Sequence, residues 1–369
     1  MGLIDDIQIH KEIGAIALSA IELNLDSTII CGQFNFPVKS ILLHKTGFIR
    51  RNWITKILDP FFALKYILNE SPDYMLLYNI ENYGNIFLVL ALNFLGKIRL
   101  SHKRNIVIMI KADTDGSFVE SRRLAPLIVY KVLILLYLRF TKGIIVETSC
   151  ALSKIANFIK RKKGLVYLPD GYSDKLFSHE YNSERKHKVV CVARIVPIKN
   201  LDAVVRLFAK ISKVYIEMQF QIIGPVIDTK YFEKIKLQIV QMNMQDKIEI
   251  VNPKSNALAE ILSESLLTVS MSLKESFGIA RMESLGCGTP VVTYDVGCGP
   301  DFSNFGAIVV PFGDEERMYF EVLRLLSDLS YWKKKSLESR TSSVTWNSVV
   351  QKLISIFQHN DTEQTLRMC

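Results

Sequence analysis

Short runs of β-branched and other apolar residues alternate with longer stretches of helical periodicity along most of the chain. Such alternation is typical of parallel sheets whose strands are joined by crossover helices. The first half has predicted strands at 27–31, 74–78, 106–110, 143–147 and 165–168. A second series is predicted at 189–192, 220–223, 248–251, 267–270, 291–294 and 307–310. The pattern predicts the α/β class, with two doubly wound, Rossmann-like domains.

The turn-rich segment 169–171 separates the two series of strands. A chain of 369 residues is also long enough to form two domains with separate cores. We predict an N-terminal domain over 1–168 and a second domain over 169–345. The remaining segment, 346–369, is predicted to form a helix that crosses back to the first domain, followed by a frayed tail.

The formal net charge of +9 favours anionic partners such as nucleic acid, anionic lipid or a phosphorylated substrate. Nucleic acid is the weakest of these, because the basic residues are spread along the chain and no known nucleic-acid-binding pattern is present. A basic surface without a target explains the charge equally well. The six cysteines are scattered and predict reduced thiols rather than a metal site. No signal segment opens the chain, so a cytoplasmic location is expected.

Two stretches have a membrane-like composition, 86–95 and 124–140. A spanning helix needs about 20 apolar residues, and Lys131 interrupts the second stretch, so neither is predicted to span a bilayer. One interpretation is a helix buried against a sheet. The other is a helix on an anionic membrane surface, which would make the protein peripheral at the inner face of the membrane. The cations that flank this helix are Arg122, Arg123, Lys131, Arg139 and Lys142.

The segment 270–292 combines glycines and acidic residues in the order SMSLKESFGIARMESLGCGTPVV. It predicts a strand, a loop, a short helix, a Gly-rich turn and another strand. The amides of Phe277, Gly278 and Ile279 would project from the N-terminus of that helix, where the helix dipole supplies about half a positive charge. Gly278 would let a ligand approach the backbone closely. The segment therefore predicts a site for phosphate oxygens.

Two glutamates, Glu275 and Glu283, occupy the loop and the helix of this segment. A continuous helix would separate them by about 12 Å, at about 1.5 Å per residue. Carboxylate pairs of glycosidases lie about 5 to 9.5 Å apart, which excludes that function. The longer separation suits two hydroxyl-rich ends of one ligand with a diphosphate between them, as in a nucleotide sugar. Two solvated glutamates on a helix are the alternative, and neither carboxylate is expected in the core.

A second cluster follows the predicted strand at 189–192, where the order VARIVPIKN places Arg194 and Lys199 in the loop before the next helix. Ligands of parallel α/β sheets bind at the carboxyl ends of strands, so both cations are placed to neutralise a diphosphate. The arginine can fork two oxygens, whereas the lysine acts as a point charge. Taken alone, an arginine and a lysine at this spacing are more often surface charges.

Together these features resemble family 4 of the glycosyltransferases. The residues that carry the resemblance are Arg194, Lys199, Gly224, Glu275 and Glu283, with the run Gly-Cys-Gly-Thr-Pro-Val-Val after the last of them. The turn at 168–171, followed by Phe177, resembles the interdomain segment of that family, and Trp346 resembles its terminal crossover helix. The match covers 165–357 well and the first domain only loosely.

The resemblance implies a GT-B fold, with two Rossmann-like domains facing an interdomain cleft. It also implies a hexosyltransferase that retains the anomeric configuration and needs no metal or other cofactor. The donor would be a UDP- or GDP-sugar. The acceptor would be a glycan, a lipid-linked molecule or another hydroxyl, as in polysaccharide or glycolipid biosynthesis.

The resemblance also assigns roles within the two clusters. The diphosphate would be held by the two cations, which stabilise the charge that grows as it leaves. Glu275 would bind the transferred sugar, and Glu283 the ribose. The residues assigned to catalysis are Glu275, Arg194 and Lys199. The residues assigned to donor binding are Gly224, Phe277, Gly278, Ile279 and Glu283.

The first domain departs from the family pattern. Only 2–4 is available for a first strand before the helix predicted at 10–23, so either that strand is very short or the sequence begins late relative to its relatives. No glycine-rich loop follows it. The acceptor-side candidates are His10, near the expected loop, and Lys111, Asp113 and Asp115, after the strand predicted at 106–110. The two aspartates could instead form a turn or cap a helix.

Two other classes of function share the predicted two-domain layout. One is a non-catalytic subunit that binds sugar nucleotides or acts as a scaffold, which the unusual first domain favours. The other is a nucleotide-sugar epimerase with the same fold. The full set of expected donor-site residues favours the enzyme over the scaffold.

Overall fold

The structure, a computed structural model, describes residues 3–4, 13–23, 25, 28–31, 33–34, 42–45, 64–65, 67–68, 74–78, 83–97, 107–112, 124–173, 177, 185–253, 255–297 and 299–358. The chain divides into two units. The first comprises Met1–Pro169 and Asn347–Cys369, and the second comprises Asp170–Trp346. Both divisions lie within one residue of the boundaries expected from the sequence.

The first unit alternates short parallel strands with helices. Its strands are β1 (Leu3–Ile4), β2 (Thr28–Cys31), β3 (Gln33–Phe34), β4 (Leu42–Lys45), β5 (Tyr74–Tyr78), β6 (Val107–Ala112), β7 (Gly143–Val146) and β8 (Leu165–Tyr167). Its first four helices are α1 (Ile13–Glu22), α2 (Tyr83–Lys97), α3 (Leu124–Phe140) and α4 (Ser149–Ile159). Strands β5 to β8 form one sheet in that order, while β1 pairs with β3 and β2 with β4.

The core of the first unit forms around β7, whose sequence GIIV is buried at every residue. A continuous apolar run is what a strand buried on both faces of a parallel sheet requires. Ile110 on β6 and Ile134 and Tyr137 on α3 are fully shielded from solvent beside it. Helix α4 begins where the Thr148 hydroxyl accepts a hydrogen bond from the amide of Ala151 (3.0 Å).

Helices α2 and α3 pack against each other and are apolar on more than one face. No helix in the described part of the chain is long and apolar enough to cross a membrane. One face of α3 is buried in the core, which matches the interpretation of a helix against a sheet. A second face leaves large apolar side chains exposed. These are Ile128, Val129, Val132 and Leu135 on α3, with Leu90 and Phe94 on α2.

The second unit contains a six-stranded parallel sheet and seven helices among its described residues. The strands are β9 (Lys186–Val192), β10 (Gln219–Ile223), β11 (Ile248–Val251), β12 (Ser265–Ser270), β13 (Val291–Tyr294) and β14 (Ile308–Val310). The helices are α5 (Leu201–Ser212), α6 (Thr229–Gln241), α7 (Ser255–Glu264), α8 (Ile279–Gly286), α9 (Gly299–Asn304), α10 (Glu315–Ser327) and α11 (Leu329–Ser342).

The strand order of this sheet is β11-β10-β9-β12-β13-β14. The chain builds outward from β9 on one side and then crosses to β12 on the other, so β9 and β12 are neighbours. Reversal of the strand order places a topological switch point between them. The loops that follow β9 and β12 therefore start side by side at the carboxyl edge of the sheet.

The last helix, α12 (Trp346–Gln358), groups with the first unit from Asn347 onward. The Nζ atom of Lys142 donates a hydrogen bond to the carbonyl of Phe357 (2.6 Å). The rings of Phe357 and Tyr74 lie with centroids 4.9 Å apart. The end of α12 therefore contacts residues of the first unit through Phe357.

Several strand boundaries differ from those expected. Strand β6 ends at Ala112, so Lys111 lies inside the strand and not in the loop after it. It pairs in register with Tyr78 of β5 on one side and with Ile145 of β7 on the other. The short strands β3 and β4 were missed because two to four residues carry too little periodicity. Strand β1 at Leu3–Ile4 lies within the segment 2–4 that the sequence offered for a first strand.

Candidate functional site

The loop after β9 and the loop after β12 are joined by hydrogen bonds. The amide of Leu273 donates to the carbonyl of Ile198 (2.8 Å). The side-chain amide of Asn200 donates to the carbonyl of Met271 (3.1 Å). The two clusters recognised separately in the sequence therefore form one site at the switch point of the sheet.

Lys199 and Glu275 meet directly in this site. The Nζ atom of Lys199 lies 2.5 Å from Oε1 of Glu275. Both side chains are largely buried, with 13% and 12% of their surface exposed. The hydroxyl of Ser272 donates a second hydrogen bond to the same carboxylate oxygen (2.8 Å). The catalytic lysine and glutamate predicted from separate segments are thus brought together.

The carboxyl group of Glu275 is held ionised by its surroundings. Burial works to raise its pKa, but the charges of Lys199 and Arg281 and the hydrogen bonds from Lys199 and Ser272 outweigh burial. The net result is a pKa below the ordinary value of 4.5. Glu275 is therefore an acceptor of hydrogen bonds, suited to hydroxyl groups or to developing positive charge, and it is unsuited to donate a proton near neutral pH.

Arg194 differs from Lys199 because its side chain is exposed. Among the residues that the structure describes, none forms an ion pair with it. The next residue, Ile195, is fixed by a hydrogen bond from its amide to the carbonyl of Pro225 (2.9 Å). Arg194 is thus a cation on a well-ordered loop, available to an anion from solution.

Helix α8 begins at Ile279, with Gly278 as its N-cap in the left-handed conformation (φ 85°). Glycine adopts this conformation without strain and offers no side chain to cap the helix. The amides of Gly278, Ile279 and Ala280 have no acceptor in the described part of the chain. The side chain of Phe277, in the same turn, is buried, and its ring centroid lies 5.3 Å from that of Phe302. The geometry is that of an anion site.

The neighbouring helix N-terminus, that of α5, is already occupied. The hydroxyl of Tyr231 accepts hydrogen bonds from the amides of Leu201 (2.8 Å) and Asp202 (3.4 Å). It donates in turn to the Asp202 carboxylate (2.7 Å), and burial together with this acceptor raises the pKa of Tyr231. The N-terminus of α8, and not that of α5, is therefore available to bind an anion at the switch point.

Glu283 and Glu275 lie deeper than expected from the sequence. The expectation that neither carboxylate belongs to the core is wrong for Glu283, which is 2% exposed in the middle of α8. Helix α8 is flanked by β12 and β13 and packs on α11, so every residue from Arg281 to its end is buried. Removal of either carboxylate is consequently a change to a packed region as well as to the site.

Gly224 follows β10, as expected, but the structure gives it a packing role. A Cβ atom at this position would lie 2.2 Å from the carbonyl oxygen of Ala193, at the end of the adjacent strand β9. The glycine therefore allows the two strand ends to approach closely. Its assignment as a donor contact stays a prediction.

Three side chains of the site were missed in the sequence: Ser272, Arg281 and Thr293. Arg281 is 3% exposed, and its Nη1 atom donates to the hydroxyl of Thr293 (3.1 Å). From sequence alone, a charged residue in the first turn of an eight-residue helix is expected at the surface. The burial of Arg281 could have been inferred from the apolar strands that precede and follow this helix in the sequence, because a short helix between two buried strands has little exposed surface.

The assignment of acceptor-side residues stays a prediction. His10, Asp113 and Asp115 fall outside the described residues. Lys111 lies in β6 of the first unit, and its side chain is not among those described. In the parts of the chain that the structure covers, no group of three or more histidine, cysteine or acidic side chains could hold a metal ion.

A family profile described as "Glycosyl transferases group 1" matches residues 173–338, nearly all of the second unit. The second unit belongs to the group 1 glycosyl transferases. The family relationship expected from the sequence is confirmed at this level. The switch-point site, with Lys199, Glu275 and the N-terminus of α8, lies within the matched part of this glycosyl transferase domain.

Two curated relatives illustrate the similarity. Poly(glycerol-phosphate) alpha-glucosyltransferase of Bacillus subtilis (strain 168) is 36% identical over 114 residues, which cover 31% of this chain and 16% of the relative. N-acetyl-alpha-D-glucosaminyl L-malate synthase of Bacillus anthracis is 25% identical over 166 residues, or 44% of this chain and 42% of the relative. The matches thus span less than half the length of either relative.

Solved structures match over nearly the whole chain. Anabaena Alr3699/HepE in complex with UDP and glucose has a TM-score of 0.69 at 13% identity, covering 96% of this chain and 97% of that one. A glycosyltransferase from Rickettsia africae ESF-5 has a TM-score of 0.72 at 13% identity, covering 98% of each chain. At this identity the likeness establishes the fold alone. The chain has the predicted GT-B fold, built from two α/β units.

Proposed function

We propose that the protein is a retaining glycosyltransferase of the hexosyltransferase type. It would move a sugar from a UDP- or GDP-sugar to a hydroxyl group of a glycan, a lipid-linked molecule or another acceptor. The observation that carries this proposal is the meeting of Lys199, Glu275 and the open N-terminus of α8 at the switch point of the second sheet. The cations and the α8 amides would bind the diphosphate of the donor, and the ionised carboxylate of Glu275 would bind its sugar.

The diphosphate of the donor fits the N-terminal end of α8. Free amides of Gly278 and Ile279 and the helix dipole favour its negative charge. Arg194 adds an exposed cation that has no competing carboxylate among the described residues. The ammonium group of Lys199 has three donor hydrogens, so it would contact a phosphate oxygen while it keeps its bond to the Glu275 carboxylate.

In the proposed transfer, the bond between the anomeric carbon and the diphosphate oxygen breaks. A bond from the anomeric carbon to the acceptor oxygen forms on the same face of the sugar. The acceptor proton passes to the departing diphosphate oxygen, which balances the step without a separate base. Arg194, Lys199 and the α8 amides stabilise the growing phosphate charge, and Glu275 stabilises positive charge on the sugar.

We propose that the reaction needs no metal ion or other cofactor. The role that a divalent cation would have at a diphosphate is supplied by two side-chain cations and by a helix N-terminus. Turnover should therefore persist in excess EDTA. Loss of activity in EDTA, with recovery on addition of magnesium or manganese, would contradict this part of the proposal.

The donor and acceptor classes draw support from the relatives. One is named a poly(glycerol-phosphate) alpha-glucosyltransferase, and another an N-acetyl-alpha-D-glucosaminyl L-malate synthase. The Anabaena protein Alr3699/HepE also has a solved structure in complex with UDP-glucose. Hexose or N-acetylhexosamine donors and hydroxyl-bearing acceptors of polysaccharide or glycolipid synthesis are therefore the first to test.

The exposed face formed by α2 and α3 in the first unit fits an anionic membrane surface. Val132 is 50% exposed, Ile128 is 54% exposed and Phe94 on α2 is 63% exposed. Along α3, residues 128, 132, 135 and 139 recur at helical spacing, so the apolar stripe ends in the exposed Arg139. Neither helix contains an aspartate or a glutamate. Apolar burial and charge attraction would then act together.

The contributions of the flanking cations differ. Lys142 is engaged with the Phe357 carbonyl, and Lys131 lies 5.7 Å from the ring of Phe158, while Arg139 is exposed. Arg122 and Arg123 lie outside the described residues. We propose a cytoplasmic protein that is peripheral at the inner face of the membrane, because that leaflet carries anionic lipid. Attachment there would bring the enzyme to lipid-linked acceptors.

Release of nucleoside diphosphate tests the proposed function. The full chain is incubated with UDP-glucose, UDP-N-acetylglucosamine and GDP-mannose, with and without a membrane extract as acceptor. The proposal expects release from one donor, increased by acceptor, and a product whose anomeric configuration by NMR equals that of the donor. Binding of a nucleotide sugar without any release would instead support a non-catalytic subunit. A product of inverted configuration would contradict retention.

A further inference from the structure

Arg281 occupies a position that is unfavourable for a cation unless it has a specific task. It lies in the first turn of α8, where the helix dipole disfavours positive charge. It is also 3% exposed, and a buried guanidinium is costly unless it is fully partnered. Two unfavourable terms at one position of a short helix require compensation from the surroundings.

The guanidinium of Arg281 is fixed on several sides. Its Nη1 atom donates to the hydroxyl of the buried Thr293 (3.1 Å). Its Cζ atom lies 4.3 Å from the ring centroid of Phe302, a cation–π distance. Its Nη2 atom donates a short hydrogen bond to the carbonyl oxygen of Phe277. The side chain therefore links strand β13 and helix α9 to the turn that precedes α8.

The bond to the Phe277 carbonyl fixes the direction of the Gly278 amide. A peptide unit is planar and trans, so its C=O and N–H groups point in opposite directions. The Phe277 carbonyl points toward the Arg281 guanidinium. The N–H of Gly278, in the same peptide unit, therefore points away from the guanidinium. That N–H has no acceptor in the described chain. Arg281 thus sets the orientation of one donor of the anion site.

Gly278 and Arg281 are also matched in space. A Cβ atom at position 278 would lie 2.6 Å from Nε of Arg281, and the left-handed φ of 85° would strain any other residue. The glycine leaves room for the guanidinium beneath the turn. The positive charge of Arg281 also reaches Glu275, where it contributes to the lowered pKa of that carboxyl group.

We infer that Arg281 is a positioning residue for the donor, which orients the Phe277–Gly278 peptide so that the Gly278 amide binds a phosphate group. The inference rests on the proposed nucleotide-sugar site and adds to it a side chain that touches neither sugar nor phosphate. Arg281 acts through its bond to the Phe277 carbonyl. Its loss should weaken recognition of the phosphates more than recognition of the nucleoside.

The test measures binding of UDP and GDP to the full chain by titration calorimetry, in wild type and in Arg281→Gln. For the nucleotide that binds wild type, we expect Arg281→Gln to raise the Kd at least about tenfold, the loss of one oriented bond to a charged group. The Kd for the matching nucleoside, uridine or guanosine, should change less than about twofold. Thr293→Val, which removes one partner of the guanidinium at nearly constant volume, should have a smaller effect of the same kind.

Arg185→Gln is the matched control. Arg185 holds backbone carbonyls at the opposite end of α8, those of Cys287 (3.0 Å) and Gly288 (3.2 Å). Its replacement also destabilises the packing of α8 but leaves the N-terminal turn alone, so the Kd for UDP or GDP should be unchanged. A lower melting temperature in both variants, with weaker nucleotide binding in Arg281→Gln only, supports the inference.

Three results would overturn the inference. The first is a wild-type Kd for nucleoside diphosphate in folded Arg281→Gln, or in Thr293→Val if the first variant does not fold. The second is equal weakening for nucleotide and nucleoside, which would indicate a purely structural role. The third is equal weakening in Arg185→Gln. If wild type itself binds neither UDP nor GDP, the proposed function fails as well, which distinguishes that failure from the others.

Discussion

The ammonium group of Lys199 lies 2.5 Å from the carboxylate of Glu275, and the two residues come from loops that follow neighbouring strands of one sheet. The pair joins the two parts of the proposed donor site, one for phosphate and one for sugar. It also means that the two cations of the site are not equivalent. Lys199 is already neutralised, whereas Arg194 carries an exposed charge without an ion-pair partner among the described residues.

The pair predicts a specific dependence of stability on pH. Because the pKa of Glu275 is lowered below 4.5 in the folded state, its contribution is present above that pH. It is lost as the pH falls through the folded pKa. Glu275→Gln should therefore be less stable than wild type by about 2 kcal/mol at pH 7, the worth of one bond to a charged group. The two proteins should converge in acid.

Urea denaturation of both proteins at a series of pH values measures this difference. Lys199→Gln serves as the partner control, since it removes the cation and leaves the buried carboxyl group. A constant difference between wild type and Glu275→Gln from neutral pH into acid would show that ionisation of Glu275 does not contribute to the fold.

The two glutamates should have different kinetic signatures. Glu283, assigned to the ribose, would make the same hydrogen bonds in the ground state and the transition state, so Glu283→Gln should mainly raise KM for the donor. Glu275, assigned to the sugar, would act on charge that develops in the transition state, so Glu275→Gln should mainly lower kcat. A tenfold loss corresponds to about 1.4 kcal/mol. The opposite pattern would reverse the assignment of sugar and ribose ends.

Both variants need a stability control because of where the side chains lie. Glu283 is buried within α8, and Glu275 is bonded to both Lys199 and Ser272. We expect each substitution to lower the melting temperature in the absence of donor. Kinetics should therefore be measured well below the melting temperature of each variant, with the folded fraction checked by circular dichroism.

Arg185 should be important for stability and unimportant for nucleotide binding. Its guanidinium donates to the carbonyls of Leu262 and Ser265 (3.1 Å each) and to the Thr289 hydroxyl (2.6 Å), besides the two carbonyls at the end of α8. These acceptors lie at or just after the C-terminal ends of α7 and α8, where a cation is favoured by the helix dipole. Arg185→Gln should lower the free energy of unfolding by about 3 kcal/mol.

Chemical denaturation of Arg185→Gln measures this effect. Arg317→Gln is a suitable comparison, since Arg317 is 52% exposed and pairs with Glu321 on the same helix. An exposed cation of this kind should contribute much less. If Arg185→Gln were as stable as wild type, the network at the end of α8 would have no energetic importance.

The exposed face of α2 and α3 should bind anionic vesicles. We expect the full chain to float with vesicles of phosphatidylglycerol and phosphatidylcholine, and to bind phosphatidylcholine alone weakly. Raising the salt from 0.1 to 1 M shortens the Debye length from about 10 Å to about 3 Å and should reduce binding. Val132→Glu should reduce it further, because it places a charge in the apolar stripe.

Val214→Glu is the control for this substitution, since Val214 is 57% exposed in the second unit. It should leave flotation unchanged. Equal flotation with neutral and anionic vesicles would remove the electrostatic part of the proposal. Equal flotation of Val132→Glu and wild type would remove the α2–α3 face from it.

The strands of the second unit could be predicted closely from the sequence. Each run of β-branched residues is short, strongly apolar and bounded by turn residues, as at 291–294 between Pro290 and Asp295. The run is buried at every residue, so its composition reports directly on its environment. The weak point was the first domain, where β3 has two residues and leaves almost no pattern.

The geometry of the site could be predicted only in part. Arg194, Lys199, Glu275 and the turn at Gly278 were recognised from local patterns. That Lys199 pairs with Glu275 depends on β12 lying beside β9, a strand order that local periodicity does not encode. The burial of Arg281 was also hidden, because a cation has no apolar periodicity and its partner Thr293 comes from the following strand.

Substitution of Arg194 tests whether a nucleoside diphosphate sugar is bound and cleaved at this site. Its side chain is exposed and unpaired among the described residues, so Arg194→Ala should keep the wild-type melting temperature. Release of nucleoside diphosphate from the preferred donor should fall at least about tenfold, the loss of one charge-assisted contact of about 1.5 to 3 kcal/mol. Lys213→Ala, another exposed cation of the same unit, should release it at the wild-type rate. A wild-type rate in folded Arg194→Ala would contradict the proposed donor site, because the diphosphate would then lie elsewhere.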